Sequence, residues 1–121
     1  MRLEVTTVNL GAPDPAALAA FYRRLLGYDP GVDEPGFVTL RDPAGGVGLA
    51  FQQEDDHIAP IWPARHGDQQ MQVHLEIRVD DLASALAHAL DCGATLAAHQ
   101  PQDDVRVCLD PAGHPFCLWV D

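Results

Sequence analysis

What the chain has little of narrows its class first. Seven basic side chains stand against eighteen acidic ones, a formal net charge of −11. That balance repels a phosphate backbone, and no basic run exists that could release counterions from nucleic acid or dock on an anionic membrane. Cysteine is scarce too: Cys92, Cys108 and Cys117 are the only three. An odd number without secretory context argues against a disulfide framework and predicts reduced thiols. No apolar run approaches the roughly 20 residues that span a bilayer, and Met1 to Leu10 lacks the basic start and small-residue cleavage pattern of a signal peptide. The expectation is a soluble, cytoplasmic protein whose partners include neither nucleic acid nor membrane. No GxSxG elbow, GxGxxG or P-loop occurs, which removes common nucleophile and nucleotide classes.

What is present is enough for one core. The chain has 121 residues, 47% of them hydrophobic, which suits one compact domain and is short for two ordinary ones. The stretch Gln72 to Leu82, QVHLEIRVDDL, combines a period-two strand with a helix start. Val73, Leu75, Ile77 and Val79 alternate with His74, Glu76 and Arg78, so one face is apolar and the other carries imidazole, carboxylate and guanidinium. A solvated face explains that pattern as well as a site does.

The remaining elements follow from local chemistry. Leu3 to Leu10 reads as a strand ended by Gly11 to Pro15. Asp14 as N-cap and Pro15 at the first helical position open a helix over 15–26, with Leu18, Phe21, Tyr22 and Leu25 on one face and Gly27 as C-cap. A Pro- and Gly-rich loop runs from Tyr28 through Gly36, and FVTLRD and VGLAFQQ then form a hairpin about the turn at Asp42 to Gly46. Residues 54–69 have no sustained period and read as a linker or lid, within which Ile58, Ile61 and Trp62 argue against disorder. Asp80 or Asp81 caps a second helix over 81–92, with Leu82, Ala85, Leu86 and Ala89 as its apolar stripe and Gly93 as its stop. Ala94 to His99, VRVCLD and Pro115 to Asp121 are strand candidates.

The order of elements thus starts again halfway. Asp42-Pro-Ala-Gly45 and Asp110-Pro-Ala-Gly113 lie 68 positions apart, and the capping glycines Gly27 and Gly93 lie 66 apart. A βαβββ unit used twice, with PDPAALAAFYRRLLGY, HLEIRVDDLASALAHALDCGA and DPAGHPFCLW as its strongest carriers, resembles the vicinal oxygen chelate superfamily, which includes glyoxalase I, extradiol dioxygenases and bleomycin-resistance proteins. The resemblance covers nearly the whole chain. It implies an α+β fold of two tandem modules, 1–53 and 70–121, related by a pseudo-two-fold axis, with a curved mixed sheet around a cleft and helices outside. It says less about reaction, because one fold hosts metalloenzymes and binding proteins alike.

In the family's metalloenzymes the first and last strands of each half supply the metal ligands. By that resemblance His74 holds the first-strand position of the second half. Counting seven residues from the aspartate of each DPAG turn gives Cys117 and Leu49 as the last-strand positions, and the repeat offsets point to Thr6, Thr7 or Val8 opposite His74. A leucine cannot bind metal, and a threonine hydroxyl is a poor ligand, so the usual metal is expected to be absent. If an ion binds, a four-residue turn over 111–114 would bring Cys108 across from Cys117, on a face shared with Arg106 and Trp119, and His74 would complete a soft His-Cys-Cys set suited to zinc.

The resemblance implies a concave cleft lined by Phe51, Trp62, His74, Glu76, Cys117 and Trp119. Each has a plainer reading: Trp62 as loop anchor, Phe51 and Trp119 as core, Glu76 as ion-pair partner of Arg78 or Arg106. His57, His66, His88, His99 and His114 share no ligand spacing; His57 and His66 remain candidates on the lid. The first expectation is a binding protein for a small, partly aromatic, neutral or cationic organic molecule, with no cofactor and a homodimeric state taken from the family. The alternative is a metal-dependent lyase, isomerase or dioxygenase with His74 and Glu76 as catalytic candidates. A third reading is a domain that only dimerises.

Overall fold

The computed structural model describes all 121 residues and divides at His57 and Ile58 into two compact units. The first unit contains β1 (Thr7–Ala12), α1 (Pro15–Leu26), β2 (Asp29–Glu34), β3 (Phe37–Arg41) and β4 (Gly48–Gln53). The second contains β5 (Leu75–Arg78), α2 (Leu82–Cys92), β6 (Thr95–Leu96), β7 (Val105–Leu109) and β8 (Pro115–Trp119). Each unit is a four-stranded mixed sheet with one helix, and the strand orders correspond: β1-β4-β3-β2 and β5-β8-β7-β6. In both, the first strand pairs with the last in parallel and the rest are antiparallel. The expected α+β fold of tandem βαβββ modules is observed, and the larger part of the expected linker, residues 58–69, belongs to the second unit. Neither helix is long and apolar enough to cross a membrane.

Helix α1 forms where its caps are. Asp14 Oδ1 accepts a hydrogen bond from the Ala17 amide at 3.1 Å, Pro15 stands at the first helical position, and Gly27 closes the helix at φ 69°. Its inward face buries Leu18, Phe21 and Tyr22. Phe21 meets Tyr22 edge-on at 4.8 Å, and Tyr22 stacks on Phe51 of β4 at 5.7 Å. Helix α2 is capped by Asp81 rather than Asp80: its carboxylate accepts from the Ser84 amide at 2.8 Å and from the Ser84 hydroxyl at 2.6 Å. These bonds favour the ionised form and hold the Asp81 carboxyl below its ordinary value. Only Ala89 and Cys92 of α2 are fully buried, and Phe116 and Leu118 of β8 fill the space beneath it.

Two elements differ from their sequence reading. The first strand begins at Thr7, not Leu3, because its neighbour β4 begins at Gly48, the partner of Thr7, and residues before that have no strand beside them. The segment expected to be a loop after Tyr28 contains β2, an edge strand whose register shifts between Pro30 and Asp33. An edge position tolerates Pro30 and Gly31, since one side of the strand needs no ladder bonds and a bulge absorbs the irregularity.

The two DPAG turns are built alike. Asp42 accepts from the Ala44 and Gly46 amides, and Asp110 from the Ala112 and His114 amides. The first turn then has one more residue, Val47, before its strand. Gly48 opens β4 six positions after Asp42, whereas Pro115 opens β8 five positions after Asp110. Because side chains alternate with period two, one residue exchanges the faces of everything counted across it.

Candidate functional site

The second unit gathers chemistry on the sheet face opposite Phe116 and Leu118. On β8, Cys117 and Trp119 alternate with those two core residues. The register sets Glu76 and Val107 on either side of Cys117, and Arg78 and Val105 on either side of Trp119. The Arg78 guanidinium lies 5.9 Å from the Trp119 ring centroid, within cation–π range. His74, just before β5, places Nε2 2.6 Å from Glu76 Oε1. The pair is partly solvated, with side chains 31% and 53% exposed.

One donor atom each from His74, Glu76 and Cys117 lies within 4.8 Å of the others. The Cys117 thiol is 8% exposed. Burial first, and then the neighbouring Glu76 carboxylate, push it up to about 11. At neutral pH it is a thiol, not a thiolate nucleophile. The group can accept or donate hydrogen bonds through imidazole and carboxylate, and with loss of the thiol proton it can offer nitrogen, oxygen and sulfur to one ion.

Trp62 covers the apolar half of the same face. Its ring packs against Ala97, Val107 and Cys117 together with Val105. Its indole N–H donates to the His99 carbonyl at 3.1 Å, and the two rings are 6.0 Å apart. That carbonyl satisfies the one polar group of the partly buried indole. Gln100 clamps the strand beneath: its amide nitrogen donates to the Ala97 and Val107 carbonyls and its oxygen accepts from the Val107 amide, each at 2.8 Å. Ile61 and the acidic residues Asp55 and Asp56 are exposed, and Asp68 caps the Arg65 amide within the loop.

Trp62, His74, Glu76, Cys117 and Trp119 are therefore all in the second unit. Phe51 is not part of that face. It is fully buried and stacked on Tyr22, so the first unit uses it as core. Leu49 shares its parity, which corrects the counted ligand position. The parallel pairs Asn9–Ala50 and Glu76–Cys117 correspond, so the first-unit equivalent of Cys117 is Ala50, and that of His74 is Thr7. Val47 is the residue that displaced the count. Cys108 is corrected for a related reason: Val107 stands across from Cys117, while Cys108 and Arg106 pair with Phe116 and Leu118 and take the opposite parity. Cys108 is wholly buried, and burial pushes its thiol up to about 11. Arg106 donates to the Gln102, Asp103 and Val105 carbonyls, and Glu76 instead meets His74 and the Cys117 thiol.

The family's metal arrangement takes ligands from both halves. The corresponding first-unit positions, Thr7 and Ala50, offer one hydroxyl and one methyl, which do not fit a four-ligand ion. The donors that do converge are His74, Glu76 and Cys117, with Glu76 where a second cysteine was expected. Val105, Val107 and Gln100 were not singled out from sequence; strand alternation marks the valines only after the partner of Cys117 is known, and nothing marks Gln100.

The sequence matches the model of a glyoxalase-like domain over residues 6–119. None of the curated proteins matches it. Among solved structures, a glyoxalase/bleomycin resistance protein/dioxygenase family enzyme from Burkholderia phytofirmans PsJN is similar at TM-score 0.75 and 20% identity, covering 98% of each chain. A possible glyoxalase from Bacillus cereus gives 0.70 at 14% identity over 98% of this chain and 99% of that one. TnmS3, an antibiotic binding protein from Streptomyces sp. CB03234, gives 0.64 at 17% identity over 98% and 96%. With the family model spanning nearly its whole length, the chain belongs to the glyoxalase-like domain family.

Proposed function

We propose that this protein binds a small, partly aromatic organic molecule on the open face of the second unit's sheet, without the four-ligand metal of its enzymatic relatives. The observation that carries this reading is the adjacency of a partly exposed apolar surface, Trp62 with Val105, to the hydrogen-bonding pair His74–Glu76. Recognition sites combine those two ingredients: apolar area for affinity and a few fixed polar groups for orientation. Glu76 and a net charge of −11 favour a neutral or cationic ligand over an anion. The similarity to an antibiotic binding protein is consistent with sequestration rather than turnover. The test is tryptophan fluorescence and calorimetry with neutral aromatics, aromatic amines and aromatic carboxylates. Amines and neutral compounds should quench and bind; carboxylates binding best, or no class binding below millimolar concentration, would overturn the proposal.

A second reading has its own observation, the convergence of His74, Glu76 and Cys117. Three donors of mixed nitrogen, oxygen and sulfur type with an open fourth position suit a zinc-class ion, and with it a metal-dependent lyase, isomerase or dioxygenase. Cobalt(II) titration separates the two. A thiolate-to-cobalt absorption band that vanishes in Cys117→Ala and persists in Cys108→Ala favours the metal reading; no band favours the metal-free one.

A further inference from the structure

On the second unit's open face two opposite charges stand close together and do not meet. Glu76 and Arg78 share one side of β5, roughly 7 Å apart along the strand, a span their long side chains could close. They turn away from each other instead. Glu76 meets His74 at 2.6 Å and accepts from the Cys117 thiol, while the Arg78 guanidinium lies 5.9 Å from the Trp119 ring centroid and forms no ion pair. Both charged residues are exposed. The guanidinium keeps its N–H donors for another partner, and the carboxylate keeps the acceptor sites that His74 and Cys117 leave.

The rest of the face sets the direction in which a ligand can bridge them. On the β7 side, Trp62 with Val105 already packs on Ala97, Val107 and Cys117. The charged groups left in solvent therefore lie along β5, with the half-buried Trp119 beside Arg78 as apolar surface at that end. We infer that the ligand of this face is an aromatic molecule charged at both ends, with an amine that meets Glu76 and a carboxylate, or an oxyanion of similar shape, that meets Arg78. The inference rests on the small-molecule reading above and narrows it.

Charge argues for both ends on one molecule. A net charge of −11 disfavours a free anion, so a carboxylate is accepted only where a local cation receives it and an amine on the same ligand offsets it. The planar guanidinium can hold that carboxylate with two parallel bonds. A para-substituted benzene ring keeps its two ends about as far apart as Glu76 and Arg78 stand on the strand.

Calorimetry with three probes built on one ring tests the inference: benzylamine, 4-methylbenzoate and 4-(aminomethyl)benzoate. The zwitterion should bind about fivefold or more tighter than benzylamine, and 4-methylbenzoate should bind weakest. The variants separate the two ends by sign. Arg78→Gln should weaken 4-(aminomethyl)benzoate about fivefold while benzylamine gains affinity, because a like charge has gone. Glu76→Gln should weaken both amines. Unfolding would weaken every probe together, so opposite signs within Arg78→Gln report the site alone. Benzylamine binding with no gain from the added carboxylate, or a gain that survives Arg78→Gln, would overturn the inference and leave the small-molecule reading standing. Tighter binding of 4-methylbenzoate than of either amine, or no binding of any probe below millimolar concentration, would remove both.

Discussion

Two units with one strand order distribute their aromatic side chains differently. In the first, Phe21, Tyr22 and Phe51 lie between helix and sheet, and the opposite face carries Thr7, Asn9 and Ala50 at the positions matching His74, Glu76 and Cys117, with Asn9 donating to Gln52 at 2.9 Å. In the second, α2 buries only Ala89 and Cys92, while Trp62, Trp119, His74, Glu76 and Cys117 occupy the open face. The difference shows how a duplicated architecture can separate two demands. One copy supplies aromatic packing, and the other presents the groups able to recognise or hold something. Under the proposed function, stability and ligand binding are therefore expected to fail separately when residues are removed.

The largest expected effect lies in the first unit. Phe51→Ala removes a ring that is fully buried and stacked on Tyr22, and should cost about 4 kcal/mol in denaturant unfolding. A loss under about 1 kcal/mol would mean the ring lies in an open site after all. Next are the turns. Asp110 has a fully buried side chain that accepts from two amides and pairs with His114 Nδ1 at 2.9 Å, so Asp110→Ala strands two part-buried amides and should cost about 2–3 kcal/mol. Asp42 makes the same amide contacts but is only half-buried, and Asp42→Ala should cost about 1 kcal/mol. Equal losses would erase the distinction between the two turns.

Third is Trp62→Ala, which inverts the pattern of Phe51→Ala. The indole is partly exposed, so stability should fall less than for Phe51→Ala, while affinity for an aromatic ligand should fall about tenfold or more. A stability loss of several kcal/mol with unchanged binding would make Trp62 a core anchor. A pH titration gives a smaller signal. The Cys108 and Cys117 thiols have folded values near 11 against an ordinary 9.0, so the folded state keeps protons the unfolded chain has lost. Their contribution is complete below pH 9 and is lost as pH rises through 11, and melting temperature should decline across that window. Replacing both with alanine should flatten the decline.

The fold was readable because its signals are local and redundant: Asp14 with Pro15, an aspartate at 80 or 81, Gly27 and Gly93, and two DPAG turns all mark boundaries by short-range chemistry. Trp62, His74, Glu76, Cys117 and Trp119 were grouped through the family resemblance, with strand parity adding support for His74 with Glu76 and for Cys117 with Trp119. Phe51, Leu49 and Cys108 could not, because their faces depend on counting across a turn. Val47 adds one residue in the first turn, and the hairpin over 110–114 sets Val107 rather than Cys108 against Cys117. A period-two pattern states that faces alternate; only the register states which face is which. Strand β2 was missed because edge strands admit the proline and glycine that signal a loop elsewhere.

The smallest expected effect tests the polar end of the second unit's face. His74 and Glu76 are joined at 2.6 Å but remain 31% and 53% exposed. A polar contact so open to solvent contributes about 0–1 kcal/mol, so His74→Ala should barely move the unfolding midpoint. Its effect belongs to recognition. Without the imidazole the Glu76 carboxylate is freer, a cationic ligand can approach it directly, and a neutral ligand loses a hydrogen-bond partner. Affinity for a neutral aromatic should therefore fall a few-fold, while that for an aromatic amine should hold or rise. The equivalent change in the first unit, Thr7→Ala, should alter neither. Calorimetry with the two ligand classes on the two variants reads all four outcomes. A loss in Thr7→Ala matching that in His74→Ala would show that the two open faces act alike, and the division of labour between the units would have to be abandoned.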